Sequence, residues 1–124
     1  MSRAATTLFV WSIYLGVLSL TVLLLPNVLL GLFGIPPAQE VWIRLVGMFL
    51  GFLAYFSLRA ARTENAGYML WSAQVRATVP LFFGAFVLLL QAPPALMLFS
   101  VVDVAAAVWT WTALRADAGA RRPA

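Results

Sequence analysis

Four apolar stretches, each about long enough to cross a lipid bilayer, take up most of this 124-residue chain. A helix needs about 20 residues to cross a hydrocarbon core of roughly 30 Å, so four spans with short turns leave no length for a soluble domain. Hydrophobic residue types make up 64% of the chain and charged types 10%, unlike a water-soluble domain. The sequence predicts a single all-α transmembrane domain over residues 1–124, an antiparallel four-transmembrane-helix bundle.

The predicted spans cover about residues 7–25, 41–60, 72–91 and 94–114, and a tail follows over residues 115–124. The predicted connection between the second and third spans is Thr63–Asn65, with frayed flanks. The first span is interpreted as a retained anchor, because its apolar run is longer than that of a signal peptide and no A-x-A cleavage site follows. A straight helix from Leu8 to Phe33 would extend for roughly 39 Å, too long for the hydrocarbon core. Pro26 therefore predicts a break, with a short interfacial helix over Pro26–Phe33. The alternative is a kinked and tilted continuation of the first span.

The positions of the arginines predict the orientation of the chain. Seven of the eight lie at the N-terminus, in the middle connection or at the C-terminus, whereas Arg44 lies on the opposite side. The positive-inside rule then places both termini and the second connection in the cytoplasm. The seven are Arg3, Arg59, Arg62, Arg76, Arg115, Arg121 and Arg122. The net charge of +4 is explained by this topology, so we expect the lipid bilayer and no nucleic acid as a partner.

The positions of the tryptophans agree with this predicted orientation. Four of them are predicted near the inner membrane boundary and one near the outer boundary, where amphipathic rings are enriched. The inner four are Trp11, Trp71, Trp109 and Trp111, and the outer one is Trp42.

The chain lacks the residue types on which most catalytic and cofactor sites depend. It has no histidine and no cysteine, and all eight of its basic residues are arginines, so it has no lysine either. The chain therefore has no ligands for a haem held by two imidazoles or for an ordinary zinc site. It also has no lysine to form a Schiff base with retinal. The serines have no histidine base for a hydrolytic triad. We predict no catalytic residue, no cofactor and no metal, and a protein that is not an enzyme.

Small and polar residues recur at helical spacing on each span. Gly47 and Gly51 form a GxxxG pattern on one face of the second span, and small residues allow helices in lipid to approach closely. Gly16 on the first span and Gly84 on the third have the same predicted role in helix packing. Simple close packing within the bundle is the principal interpretation, and self-association is an alternative.

Asp103 is a lone carboxylate near the middle of the last span. An unpaired charge at the bilayer centre costs on the order of 3 kcal/mol on insertion scales, so we expect a paired or protonated group that faces inward. Arg44 and Arg76 both lie within reach by depth, although Glu40 also forms a favourable helical pair with Arg44. The predicted intramembrane polar network comprises Arg44, Tyr55, Arg76, Ser100 and Asp103. Three roles for Asp103 stay open: a structural ion pair, a substrate or proton site, and a protonated carboxyl that faces lipid.

Several short motifs resemble those of small bacterial four-helix membrane proteins with a broadly DoxX-like arrangement. They include Leu32-Phe33-Gly34-Ile35-Pro36, Trp42-Ile43-Arg44-Leu45-Val46-Gly47, Ala60-Ala61-Arg62 and Val102-Asp103. The resemblance covers most of the chain. It implies a bacterial inner (cytoplasmic) membrane location and no defined activity, because a shared bundle does not transfer function.

Two main function classes follow from these features. The first is a non-enzymatic accessory or regulatory membrane module that assists another membrane protein or self-associates, with Arg44, Arg76 and Asp103 holding the bundle together. The second is a small proton-coupled transporter that uses Asp103. A membrane subunit of a redox enzyme is a further alternative.

The arginine bias leads to a direct test of orientation. Reporter fusions after Arg62 and after Ala124 are expected to read cytoplasmic, and a fusion near Ala38 is expected to read exported. Mixed signals at any of these sites would contradict a single orientation. They would instead support the antiparallel dimers of dual-topology transporters, against which the bias of seven arginines to one argues.

Overall fold

The structure is a computed structural model that describes residues 1–37 and 41–121, and all regular structure in these ranges is helical. The helices are α1 (Arg3–Leu24), α2 (Pro26–Leu32), α3 (Val41–Arg62), α4 (Ala66–Leu89) and α5 (Met97–Arg121), and a 3₁₀ turn over Pro94–Leu96 leads into α5. Four of them, α1, α3, α4 and α5 with its 3₁₀ turn, are long and apolar enough to cross a membrane. The predicted all-α class with four long apolar helices is therefore confirmed.

Pro26 ends the first long helix, as predicted. Leu25 leaves the helical region with φ −135° and ψ 56°, and Pro26 then occupies the first turn of α2, where its missing N–H costs no hydrogen bond. The short separate helix is thus confirmed, and the continuous kinked helix is wrong. α2 ends in a Schellman motif: Gly34 adopts φ 67°, and the Ile35 N–H donates to the Leu30 carbonyl. The interfacial location of α2 stays a prediction.

The turn between α3 and α4 occupies the predicted residues 63–65. Glu64 adopts a left-handed conformation with φ 53°, and the Asn65 N–H donates back to the Ala60 carbonyl, which closes the end of α3. The Asn65 side chain then accepts a hydrogen bond from the Tyr68 N–H and caps the start of α4. α4 continues through Pro80. Proline therefore ends one long helix of this chain and is accommodated within another.

The start of α1 lies beside the α3–α4 turn and the last part of α5. The backbone N–H and the hydroxyl of Ser2 donate to the Glu64 carboxylate, at 2.8 and 2.6 Å. The N–H groups of Arg3 and Ala4 donate to the Asp117 carboxylate, at 3.4 and 3.0 Å. Carboxylates from two other elements thus satisfy N–H groups at the first turn of α1. We call this end of the bundle, where Ser2, Glu64 and Asp117 meet, the terminal end.

The long helices alternate in direction, and α1 is central among them. α1 packs most extensively against α3 and also contacts α5, while α4 packs mainly against α5. α3 and α4 share few contacts although one short turn joins them. A cleft therefore separates α3 from α4. The buried apolar core gathers toward the terminal end, in Ala4, Ala5, Leu8, Trp11, Leu15, Ala60, Ala61, Met69 and Ala113.

The contact between α1 and α3 is close because α3 presents glycines to it. The buried Ser19 hydroxyl donates to the Gly47 carbonyl at 2.6 Å. A Cβ atom at Gly47 would lie 3.1 Å from the backbone nitrogen of Leu23, and one at Gly51 would lie 2.8 Å from Ser19 Oγ. Of the four predicted packing glycines, Gly47 and Gly51 therefore lie in this interface. Gly16 and Gly84 have no neighbouring atom within 4 Å of an added Cβ, so the structure places neither in such a contact within the chain.

A matched pair of substitutions tests this interface. Overpacking commonly costs about 1–3 kcal/mol, whereas alanine gains up to about 1 kcal/mol over glycine within a helix. We therefore expect Gly47→Ala to lower the free energy of unfolding by about 1 kcal/mol, as measured by denaturant titration in micelles. Gly84→Ala, in open space, is expected to be neutral or stabilising. Equal stability of the two variants would show that α1 and α3 have room to separate.

Candidate functional site

The cleft between α3 and α4 has a volume of about 550 Å³ and receives side chains from all five helices. Its walls are mostly apolar. Among the residues that line it, Arg76 of α4 and Asp103 of α5 are the charged ones. A cavity of this size, apolar with a few polar groups, has the general character of a small-molecule site.

Arg76 is almost completely buried, with 5% of its surface exposed. Its Nε donates to the Ser72 carbonyl at 3.2 Å, and its Nη2 donates to Thr110 Oγ1 at 3.1 Å. The guanidinium carbon lies 4.7 Å from the centre of the Trp11 ring, a cation–π distance. The remaining nitrogen, Nη1, is buried and has no hydrogen-bond partner. The guanidinium is thus held on three sides, and one donor group is left unused.

A chain of hydroxyl groups continues from Arg76 into α1. Thr7 Oγ1 donates to the Ala4 carbonyl at 2.7 Å and lies 2.8 Å from Thr110 Oγ1. Because a hydroxyl carries one proton, Thr110 is the donor of the second bond. The order of donation therefore runs from Arg76 to Thr110, then to Thr7, then to the Ala4 carbonyl. Thr7 and Thr110 are fully enclosed, so this chain connects α4, α5 and α1 through buried hydrogen bonds.

Asp103 is half-buried and faces the same cleft. No ion pair within 4.0 Å joins its carboxylate to Arg76, and it makes no hydrogen bond with the residues that the structure describes. Ser100 lies one turn earlier on α5 and is buried, and its hydroxyl has no partner. The structure therefore brings Arg76 and Asp103 to one cleft without the direct contact that a structural ion pair requires.

The two other members of the predicted polar network lie elsewhere. Arg44 is exposed and donates to the Leu23 carbonyl of α1. Tyr55 is 54% exposed, and its hydroxyl accepts a hydrogen bond from Arg59 at 3.0 Å. Neither residue lines the cleft. Of the two arginines considered as partners for Asp103, Arg76 is the one that shares its cleft, and the predicted pair of Arg44 with Glu40 falls outside the described residues.

Trp11 is buried inside the bundle, with 7% of its surface exposed, and its ring covers Arg76. Its depth near the inner membrane boundary stays a prediction. The other tryptophans are each at least 42% exposed, in keeping with contact to lipid. The sequence patterns do not single out Thr7 and Trp11 as site residues, although their spacing of four residues places them on one face of α1. Thr110 lies seven residues after Asp103, so the same rule aligns these two on α5.

No family model, curated protein or solved structure matches this chain. Within residues 1–37 and 41–121, no group of three or more His, Cys, Asp or Glu residues is placed to hold a metal ion.

A double-mutant cycle tests the electrostatic relation across the cleft. We expect Asp103→Asn and Arg76→Gln each to destabilise the protein in micelles, with a coupling of about 0.6 kcal/mol, the average for interhelical polar pairs in membranes. Arg44→Gln is the matched control and is expected to show no coupling with Asp103→Asn. Coupling to Arg44 rather than to Arg76 would contradict this arrangement.

Proposed function

We propose that this chain is a small integral membrane protein that acts by binding, as a non-enzymatic accessory or regulatory module. Its binding surface is the cleft between α3 and α4. The observation that carries the proposal is the buried Nη1 of Arg76, a charged donor without a partner at an apolar cleft of about 550 Å³. The occupant is a component of the membrane that enters between the two helices.

A buried donor without a partner is costly. Leaving one unsatisfied costs about 1–3 kcal/mol, and more when the group is charged, so nearly all such groups in native proteins have partners. Ser72 and Thr110 accept hydrogen bonds from the other two nitrogens of the Arg76 guanidinium, so α4 and α5 hold this group in place. A bound molecule that accepts a hydrogen bond from Nη1 removes the remaining cost. Binding of such a molecule therefore explains why Nη1 of Arg76 is buried without a partner in the chain, which helix packing alone does not explain.

The chemistry of the two charged residues favours binding over acid–base catalysis. Arginine stays protonated in proteins, so Arg76 acts as a fixed donor and exchanges no proton with a substrate. Asp103 then supplies the other charge of the cleft, on a different helix. Two fixed groups of opposite charge on separate walls orient a ligand between them.

The setting is the membrane. Four long apolar helices support integration into a bilayer, and the arginines at the terminal end support a cytoplasmic position for that end. Arg3, Arg59, Arg62 and Arg115 lie in the helical turns nearest to it. The proposed location is the bacterial inner membrane. The sequence motifs that resemble those of DoxX-like proteins support this location.

A proton-coupled transporter is the second candidate. The observation in its favour is that the Asp103 carboxylate faces the cleft and has no hydrogen-bond partner among the described residues. Intramembrane carboxyl groups of this kind mark proton pathways in transporters. Full stability of Asp103→Asn, with no coupling to Arg76, would favour this candidate over the accessory module.

Photocross-linking in native membranes tests the proposed function. A photoreactive residue at Val79, in the cleft lining, is expected to give an adduct that is absent when the same residue is placed at Val17. Val17 lies on α1 with 60% of its surface exposed, so it reports on bulk lipid. The mass of the adduct identifies the occupant as a lipid or as a protein segment. The same adducts from both positions, or none from Val79, would contradict a binding role for the cleft.

A further inference from the structure

We infer that the cleft binds one neutral single-chain membrane lipid headed by a hydroxyl group, which bridges Arg76 and Asp103. The inference rests on the proposed binding function and names the class of ligand. It follows from the hydrogen-bonding capacity of the two residues, from their charges and from the distribution of polar side chains along the cleft.

The hydrogen-bonding capacity of the site requires a group that both accepts and donates. Nη1 of Arg76 is a donor without a partner, and the Asp103 carboxylate is an acceptor without one among the described residues. The two groups line the same cleft but do not form an ion pair within 4.0 Å. A hydroxyl accepts one hydrogen bond through oxygen and donates one through its proton. A single alcohol group therefore has both the acceptor that Arg76 requires and the donor that Asp103 requires.

The charges of the site favour a neutral head group. An anionic head group would pair with Arg76 but would face the carboxylate of Asp103, and a cationic one would face the guanidinium. Either ion would also lose its hydration in an apolar cleft, a far larger cost than burying a hydroxyl that is fully hydrogen-bonded. Phospholipid head groups carry a phosphate, and burying that ion in an apolar cleft has the same large desolvation cost.

The polar side chains that α4 contributes to the cleft lie in the half of the helix nearer the terminal end. They are Tyr68, Ser72 and Arg76, and Val79 and Phe83 follow toward the opposite end. α2 contributes further apolar side chains there, among them Leu29 and Leu30. The hydroxyl head therefore lies at Arg76, and the hydrocarbon chain extends along Val79 and Phe83 toward α2.

Native mass spectrometry of the full-length protein tests the ligand class. The protein is released from an amine oxide detergent and is offered monoolein, oleate or oleylamine at equal concentration. These probes share one hydrocarbon chain and differ in the charge of the head group. Monoolein is expected to be retained at one molecule per chain, at least tenfold more than either charged probe.

Two pairs of variants locate the bound probe. Val79→Trp fills the cleft and is expected to abolish monoolein retention, whereas Val17→Trp, on the exposed face of α1, is expected to leave it unchanged. Asp103→Leu removes the acceptor and is expected to reduce retention about tenfold, the equivalent of about 1.4 kcal/mol. The tryptophan pair locates the probe even if Asp103→Leu does not fold.

The outcomes separate this inference from the proposed function. Preferential retention of oleate or oleylamine, blocked by Val79→Trp, overturns the hydroxyl class and leaves a binding cleft. Retention of no probe shows that the cleft does not hold a lipid of this class, and retention that Val79→Trp does not change shows binding outside the cleft. Both results overturn the inference, while the photocross-linking result at Val79 decides the proposed function.

Discussion

Helices in a bilayer gain no hydrophobic free energy from mutual contact, because lipid chains are as apolar as their side chains. Close approach and buried hydrogen bonds must position them instead. α1 has both: its contact with α3 depends on Gly47 and Gly51, and its contact with α4 and α5 depends on Arg76, Thr110 and neighbouring polar groups. The central position of α1 follows from these two different interfaces.

The positions of the hydrogen bonds and of the close helix contacts also explain why the bundle has a cleft. The Glu64 and Asp117 carboxylates bind the first turn of α1, so the terminal end is closed by hydrogen bonds and by the apolar core. Farther along, α3 follows α1 and α4 follows α5, and few contacts draw α3 and α4 together. Arg76 lines the resulting space, and the surrounding helices use all but one of the nitrogens of its guanidinium.

The buried charge of Arg76 matters both for the stability of the bundle and for the proposed binding function. Trp11 and Thr110 stabilise the guanidinium of Arg76 and fix its orientation, whereas Asp103 balances its charge from another wall without contacting it. Had the two charges formed a direct pair, they would have satisfied each other and closed this part of the cleft. Their separation leaves a donor on one wall and an acceptor on another, which is the arrangement on which the proposed binding function depends.

The number of long helices, the break at Pro26 and the turn at residues 63–65 follow from hydropathy and local backbone chemistry, so the sequence predicted them. The sequence did not predict which side chains are the partners of the buried charges. Depth along a helix places Arg44 and Arg76 equally within reach of Asp103, but the rotation of each helix about its axis determines which side chains meet. Rotation also buries Trp11 against Arg76. It depends on how several helices pack together, and that information is not local to any one of them.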